Sequence, residues 1–301
     1  MVDLKMEIPR EFLEGEERCG YYVSQKMKEV WAVQLDLMAE LDRVCRKHHL
    51  TYIAGAGTLL GAVRHQGFIP WDDDMDFYML RKDYDRLIRI KGAFKQPYFL
   101  QNAYTDPELM RTFSRLRNSN TTACSAWEEG YNINKGIFID IFPLDGVNES
   151  FIKNKLQKLK NDYYLLGISE KHQEKGKGFV KTVRRKVMNM LITLRRGDKR
   201  KTFRKYEANL KKYSNSGTKI WGNRTLVFEC PKSRRPIGDW KKLKYVPFEF
   251  TRIPIPESYD SMLRQQYGDY MKIPEKKGVN MHGELILSTD HAYEDLRRLS
   301  E

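Results

Sequence analysis

The sequence predicts an α/β (α+β) domain that carries a helical insertion. Strand-like and helix-like periods alternate between about residues 25 and 147 of the 301-residue chain. A proline-free stretch from Phe151 to Tyr213 then reads as helix. A proline-rich, extended stretch from Tyr245 to Pro256 and a helix from Ser258 to Tyr267, ended by Gly268, follow it. Such an order suits a sheet core with a helical segment set into it.

Taken in order, Gln25 to His49 predicts a helix, with Val30, Val33, Leu37, Met38, Leu41 and Val44 at helical spacing. "LTYIAGAG" predicts a short apolar strand that runs into a glycine turn, and Thr58 to His65 a short helix. "DMDFYML" alternates Asp74, Asp76 and Tyr78 with Met75, Phe77 and Met79, the period of a strand. Asp74 and Asp76 are therefore expected on one face, and Asp73 on the other. Lys82 to Ile90 predicts a helix, and "PYFLQNAY" and "RTFSRLR" predict strands. "GIFIDIFPLDGV" predicts an apolar strand interrupted by Asp140 and stopped by Pro143.

Hydrophobic residues make up 41% of the chain, which excludes a disordered protein. Cys19, Cys45, Cys124 and Cys230 form no CxxC pair, so neither a zinc knuckle nor a disulfide framework is indicated. No secretory signal and no membrane-length apolar run is seen, and a cytoplasmic protein is expected. The net charge of +14 is uneven: Lys171 to Lys212 holds sixteen basic residues and three acids. Within it, Phe179, Val180, Val183, Val187, Met190, Leu191 and Leu194 recur at helical spacing among Lys181, Arg184, Arg185, Arg195 and Arg196. That pattern suits peripheral contact with an anionic membrane through 171–212. Little aromatic interleaving and no base-reading motif speak against nucleic acid.

The chemistry concentrates in "GTLLGAVRHQGFIPWDDDMDF", Gly57 to Phe77. Asp72, Asp73, Asp74 and Asp76 stand too close together to be buried without a neutralising charge. The spacing lacks the pattern of an EF-hand. Asp74 and Asp76 from one strand, with Asp140 from a second, form the carboxylate set that a divalent metal site for phosphoryl transfer needs; Mg²⁺ or Mn²⁺ is expected. The "GAGT" turn offers backbone N–H groups at a helix N-terminus, a seat for phosphate. Arg64 follows it, as a phosphate ligand or a partner of the aspartates, while His65 reads as a surface loop residue. Arg115 and Arg117 alternate on one strand face near Thr121, and their guanidinium forks suit diphosphate oxygens.

"AGAGTLLGAVRHQGFIPWDDDMDFYM" resembles the signature of the LicD family of cholinephosphotransferases, a pattern shared with fukutin and fukutin-related protein. The resemblance continues in "FSRLRNSNTT", "GIFIDIFPLDGV", "VPFEFTRIPIPESYDSMLRQQYGDYM" and the final Pro274 and His282. It covers roughly Val30 to Val147 and Gly217 to His282 and leaves out Ser150 to Ser216. It implies a polymerase β-like nucleotidyltransferase core with a mixed sheet. Residues 1–149 would form the catalytic core, 150–216 a basic helical insertion, and 217–301 the part that completes the core.

The resemblance also implies transfer of a phospho-alcohol, phosphocholine foremost, from a CDP-activated donor to a sugar hydroxyl of a cell-surface glycan, with CMP released. The acceptor could be lipid-linked. Gly57 and Thr58 would fill the family's donor-binding turn. Asp74 and Asp76 would be the metal pair, Asp140 the third carboxylate and base, and Asp72 a further metal ligand. Asp73 is left out because of its strand face. "QQYGDYM" and His282 would close the cleft from the C-terminal side, with Tyr267 and Tyr270 equally readable as packing residues. Trp71, Tyr78, Tyr104, Trp127 and Tyr131 are candidates to face a choline cation. Two other readings stand beside this one: nucleotidyl transfer on the same scaffold, and a non-catalytic basic membrane- or nucleic-acid-binding protein, for which the aspartates would be dispensable.

Overall fold

The structure is a computed structural model that describes residues 1–126, 128–168, 179–194, 197–225, 231–275 and 285–295, with only the backbone for 179–185, 188 and 231. The chain opens with β1 (Glu16–Arg18), β2 (Tyr21–Val23), α1 (Gln25–Lys47), β3 (Ile53–Ala54), α2 (Ala56–Arg64), β4 (Asp76–Leu80) and α3 (Arg81–Arg89). It continues with β5 (Tyr98–Gln101), β6 (Ser114–Asn118), β7 (Thr122–Ser125) and β8 (Ile137–Val147). Three helices follow, α4 (Phe151–Ile168), α5 (Phe179–Leu194) and α6 (Lys199–Leu210). The remainder holds β9 (Ile220–Asn223), β10 (Arg235–Pro236), α7 (Ile237–Lys241), β11 (Leu243–Phe248), β12 (Thr251–Pro256), α8 (Tyr259–Tyr267) and β13 (Leu285–Ser288).

A seven-stranded mixed sheet forms the centre, in the order β10-β9-β8-β4-β3, with β6 also on β8 and β5 on β6. β4 and β8 run parallel, and the other pairs in it are antiparallel. β8 organises the sheet because all eleven of its residues are buried. Its alternation sends Ile139 and Ile141 into the main core with Phe77 and Met79 of β4, under the apolar side of α1. The other face carries Phe138, Asp140, Phe142 and Leu144. Phe142 and Leu144 join Tyr78, Trp221 and Trp240 in a second, smaller core. Ser24 caps α1 by accepting from the Met27 N–H at 3.2 Å.

Three expectations need correction. α2 begins at Ala56 rather than Thr58. β4 begins at Asp76, so residues 72–75 are loop, and strand alternation does not set their directions. β8 runs through Pro143 to Val147 instead of stopping there. The register supplies the reason. The Asp140 N–H points toward β4, donating to Met75 O at 2.8 Å, so by alternation residue 143 points its nitrogen to the opposite edge. On that edge β6 pairs only as far as Ile141 and β9 begins only at Leu144. The missing N–H of Pro143 falls in the gap between them. β7, polar and short, was not expected from the sequence; it pairs with β13.

The three helices of 151–210 join the body through α6, where Phe203, Tyr206 and Leu210 pack with Ile168 and Ala103, and through Tyr104 Oη, which donates to Glu207 at 2.6 Å. Beyond them, β9 and β10 return to the central sheet, and the β11–β12 hairpin packs beside β3. Among the described residues, no helix is long and apolar enough to cross a membrane, and Cys19, Cys45 and Cys124 are free thiols. Cys230 lies outside the described residues.

Candidate active site

Register places Asp76 directly opposite Asp140 on the parallel pair β4–β8. Gly55 and the first turn of α2 bracket Asp76: Gly55 N–H donates to its carbonyl at 2.9 Å, and its own N–H donates to Thr58 Oγ1 at 2.7 Å. The acidic loop in front is held from behind by α1. Trp31 Nε1 donates to the Asp72 carbonyl at 3.1 Å, and Gln34 Nε2 to the Asp73 carbonyl at 2.8 Å. Both side chains are buried, so the loop has a rigid floor. Sequence reasoning used the spacing of α1 only to find a core and missed this support; a buried glutamine on an apolar helix face is the signal that could have found it.

Carboxylate oxygens of Asp72, Asp73 and Asp74 lie within 4.8 Å of one another. Asp73 therefore belongs to the cluster, against the expectation that left it out. The reason is that 72–74 is loop, and its backbone turns all three side chains together. A set of three hard oxygen donors at this spacing fits a divalent cation of the magnesium or manganese type. Burial and the nearby Asp74, Asp140 and Asp72 carboxylates hold Asp76 well above the usual carboxylate range, and Arg115 only partly offsets them.

Two protein groups neutralise part of this charge. A Cβ on Gly57 would lie 2.6 Å from Asp72 Oδ2, so the Asp72 carboxylate rests against the N-terminal turn of α2. The expected phosphate seat is thus shared with a carboxylate of the chain, which the positive end of the helix favours. A Gly57→Ala variant should keep its stability within about 0.5 kcal/mol, because the displaced group is the end of a flexible side chain. Metal titration of its activity should instead show a midpoint raised about tenfold, as Asp72 is pushed from its place.

The second group is Arg115, whose Nε donates to Asp140 Oδ1 at 2.7 Å. Its guanidinium stacks 3.6 Å from the centre of the Phe138 ring. Arg115 also belongs to a buried arginine cluster that the sequence did not reveal. Arg111, Arg115 and Arg117 all donate to Glu128 Oε1, at 3.1, 3.4 and 3.2 Å. Ser125 Oγ donates to the other oxygen of Glu128 at 3.0 Å. Burial pushes the Glu128 carboxyl up, but the three guanidiniums outweigh it and leave it below the usual range. Glu128 could not be found from spacing, since it sits in a loop with no period.

Several expected ligands turn out to support the site instead. Arg117 is fully buried and donates to Gln101 Oε1 at 2.6 Å and to the Gly136 carbonyl at 2.7 Å, so it braces the sheet rather than facing a diphosphate. Thr121 is buried, donating to the Asn118 carbonyl and accepting from the Ile137 N–H, which holds the turn before β7. Arg64 faces away from the acids in its hydrogen bonds. Its NH1 donates to the Tyr270 carbonyl at 2.9 Å, and its Nε to His65 Nε2 at 2.8 Å. It thereby ties the "GDYM" segment to α2. His65 is half-buried; burial and Arg64 push its pKa down to about 4, so it stays neutral and accepts that bond.

Of the aromatic candidates, Tyr78 packs in the second core and Tyr104 is bonded to Glu207, so neither faces a cleft ligand. Trp71 stands edge-on to His65. Tyr131 lines an open pocket of about 520 Å³ with Arg111. Tyr270 donates to Asp260 at 2.8 Å, a packing role, and Tyr267 is exposed. Trp127 and His282 lie outside the described residues.

Facing carboxylates on adjacent parallel strands of a mixed sheet, with a helix N-terminus and an arginine beside them, make up the candidate active site. Residues 49–166 match the family described as LicD/FKTN/FKRP, nucleotidyltransferase domain. The chain is 28% identical over 262 residues to the lipopolysaccharide cholinephosphotransferase LicD of Haemophilus influenzae, covering 85% of this chain and 95% of that protein. It is 32% identical over 127 residues to the uncharacterized protein RP689 of Rickettsia prowazekii, covering 42% of this chain and 38% of that one. Residues 49–166 thus resemble a LicD/FKTN/FKRP nucleotidyltransferase domain, and the chain is similar to a LicD transferase along most of its length. This similarity supports a LicD-type transferase.

Proposed function

We propose that the chain transfers a phospho-alcohol, phosphocholine from CDP-choline foremost, to a sugar hydroxyl of a cell-surface glycan such as a teichoic acid, lipopolysaccharide or capsule precursor. The observation that carries this is the facing pair Asp76 and Asp140, with Asp72, Asp73 and Asp74 clustered in front and Arg115 alongside. The similarity to a lipopolysaccharide cholinephosphotransferase over 95% of its length supports the choice of donor and acceptor class.

In this reading the acceptor oxygen attacks the phosphorus that bears the alcohol. A new P–O bond forms, the bridging P–O bond breaks, and CMP leaves with the electron pair. A divalent cation held by Asp72, Asp73, Asp74 and Asp76 would neutralise the acids and polarise the phosphoryl oxygens. Asp140, hydrogen-bonded to Arg115 and facing Asp76, would take the hydroxyl proton. Arg115 holds Asp140 in place and would add positive charge beside the donor diphosphate, whose nucleoside phosphate leaves as CMP. A lipid-linked acceptor would bring the enzyme to the cytoplasmic face of a membrane, where the net positive charge of 171–212 would favour an anionic surface.

Melting curves with Mg²⁺ and CDP-choline, CDP-ethanolamine, CDP-glycerol, CTP or ATP test the donor. A ligand held by the folded state alone, at a hundred times its Kd, adds about 2.7 kcal/mol. Stabilisation by one CDP-alcohol, with CMP released once an acceptor glycan is added, is the expected result. Stabilisation by CTP or ATP alone, with pyrophosphate released, would replace this reading with nucleotidyl transfer.

A further inference from the structure

Nine of the eighteen exposed large apolar side chains among the described residues lie on only two helices, α4 and α5. α4 is inside out. Asn154, Gln157 and Asn161, at helical spacing, form its buried side. Gln157 and Asn161 are hydrogen-bonded to Asn209 of α6, and Gln157 also accepts from Arg224. The opposite side shows Phe151, Ile152, Leu156, Leu159 and Tyr163 to solvent, with Phe151 78% exposed. On α5, Val187, Met190, Leu191 and Leu194 recur at i, i+3, i+4 and i+7 and are likewise exposed, while Ile192 is buried. A helix that satisfies polar groups inward and leaves its apolar stripe outward is built for a second apolar medium.

The surroundings of the stripe indicate which medium. Lys153, Lys155, Lys158 and Lys160 are exposed on α4, and Lys186 is exposed on α5. Arg200, Lys201, Arg204 and Lys205 are exposed on α6. An apolar stripe bordered by cations complements an anionic bilayer surface, into which the side chains enter while the lysines remain at headgroup level. We propose that the outward faces of α4 and α5 insert into the anionic leaflet of a membrane as a peripheral anchor. The anchor lies partly outside the basic segment 171–212 and works by apolar insertion as well as by charge. It rests on the transferase reading only in its purpose, which is to bring the cleft to a lipid-linked acceptor.

The full chain would be mixed with vesicles of phosphatidylcholine, with and without 30 mol% phosphatidylglycerol, and the bound fraction measured by flotation. Binding to the anionic vesicles is expected, at least tenfold stronger than to the neutral ones, with a part that survives 0.5 M NaCl. Leu156→Gln/Leu159→Gln/Leu194→Gln should lower partitioning at least tenfold. It should leave the circular dichroism spectrum and the transfer rate to a soluble acceptor unchanged, because these side chains are exposed and none belongs to the candidate site. Wild-type protein that stays unbound, or a triple variant that binds as well as wild type, would overturn the anchor. So would a dimer in solution that the triple variant dissolves, which would assign the face to a second copy. The vesicles hold neither donor nor acceptor, so this result is independent of whether the donor assignment stands.

Discussion

Asp76→Asn is expected to remove transfer activity while raising the melting temperature of the metal-free protein. The carboxylate stands on the floor of the cleft beside Asp74, Asp140 and Asp72, in surroundings that favour its protonated form. A group whose folded pKa is raised contributes stability that is fully present below its unfolded value. That stability is lost as pH rises through the folded value. Metal-free wild type should therefore lose stability as pH climbs from about 4 toward neutrality, by an amount that Asp76→Asn removes. Each kcal/mol relieved corresponds to a rise in Tm of about 2–4 °C.

Mg²⁺ should reverse the comparison. The metal requires ionised carboxylates, so it stabilises wild type at neutral pH and little at pH 5, and stabilises the variant little at either. Activity should fall by at least about 10²–10³-fold, the scale of removing one preorganised electrostatic contact from a transition state. Thermal melts with and without Mg²⁺, from pH 4 to pH 8, measure the first effect, and turnover measures the second. A variant with normal turnover would remove Asp76 from the site. One that melts lower than wild type without metal would show that its neighbours do not strain it.

Glu128→Gln has the largest expected effect on stability. Glu128 is buried and answers three guanidiniums through one oxygen. Without its charge, Arg111, Arg115 and Arg117 would be left with Asp140 as their nearest counter-charge. Removing one partner from a buried charge network costs about 3–5 kcal/mol, so Tm should fall on the order of 10 °C. The pH dependence has the opposite sign to that of Asp76. The folded pKa of Glu128 is depressed, so its contribution is present above the unfolded value near 4.5 and is lost as pH falls through the folded value. The variant should lack this acid limb. Turnover should also drop, since Arg115 is shared between Glu128 and Asp140. Chemical denaturation at pH 7 and pH 3.5 would check it, and a variant as stable as wild type at pH 7 would show that the arginines are held by other contacts.

The two effects together describe how the cleft is balanced. The acids in front repel one another and the arginines behind do the same, and Arg115 lies between the groups. Weakening either group should make the other more costly, so Asp76→Asn and Glu128→Gln are expected to be non-additive.

The alternation of "DMDFYML" and the isolated Asp140 in an apolar run sufficed to place Asp76 and Asp140 on strands, because a half-buried strand leaves a period of two in its own residues. Helical spacing likewise marked α1, and the acid count alone required a neutralising partner. What local period cannot encode is which strand lies beside which, and in what register. The Asp76–Asp140 pairing joins residues 64 apart and was decided by the parallel β4–β8 ladder.

Asp73 joined its neighbours because the chain is loop before Asp76, a boundary that alternation continues through without warning. Arg117 looked like Arg115 in sequence, being on the same strand face. Only the sheet neighbours Gln101 and Gly136 show that it is buried and occupied. Glu128 became the hub of the arginines through a loop that folds back over β6. The inverted face of α4 was equally hidden, because the period of a helix fixes that two faces differ but not which of them the body will cover. Sequence by itself determined the class of the domain, its carboxylates and the family resemblance. Tertiary structure decided which charges meet, since charges interact through space, over distances that the order of residues does not record.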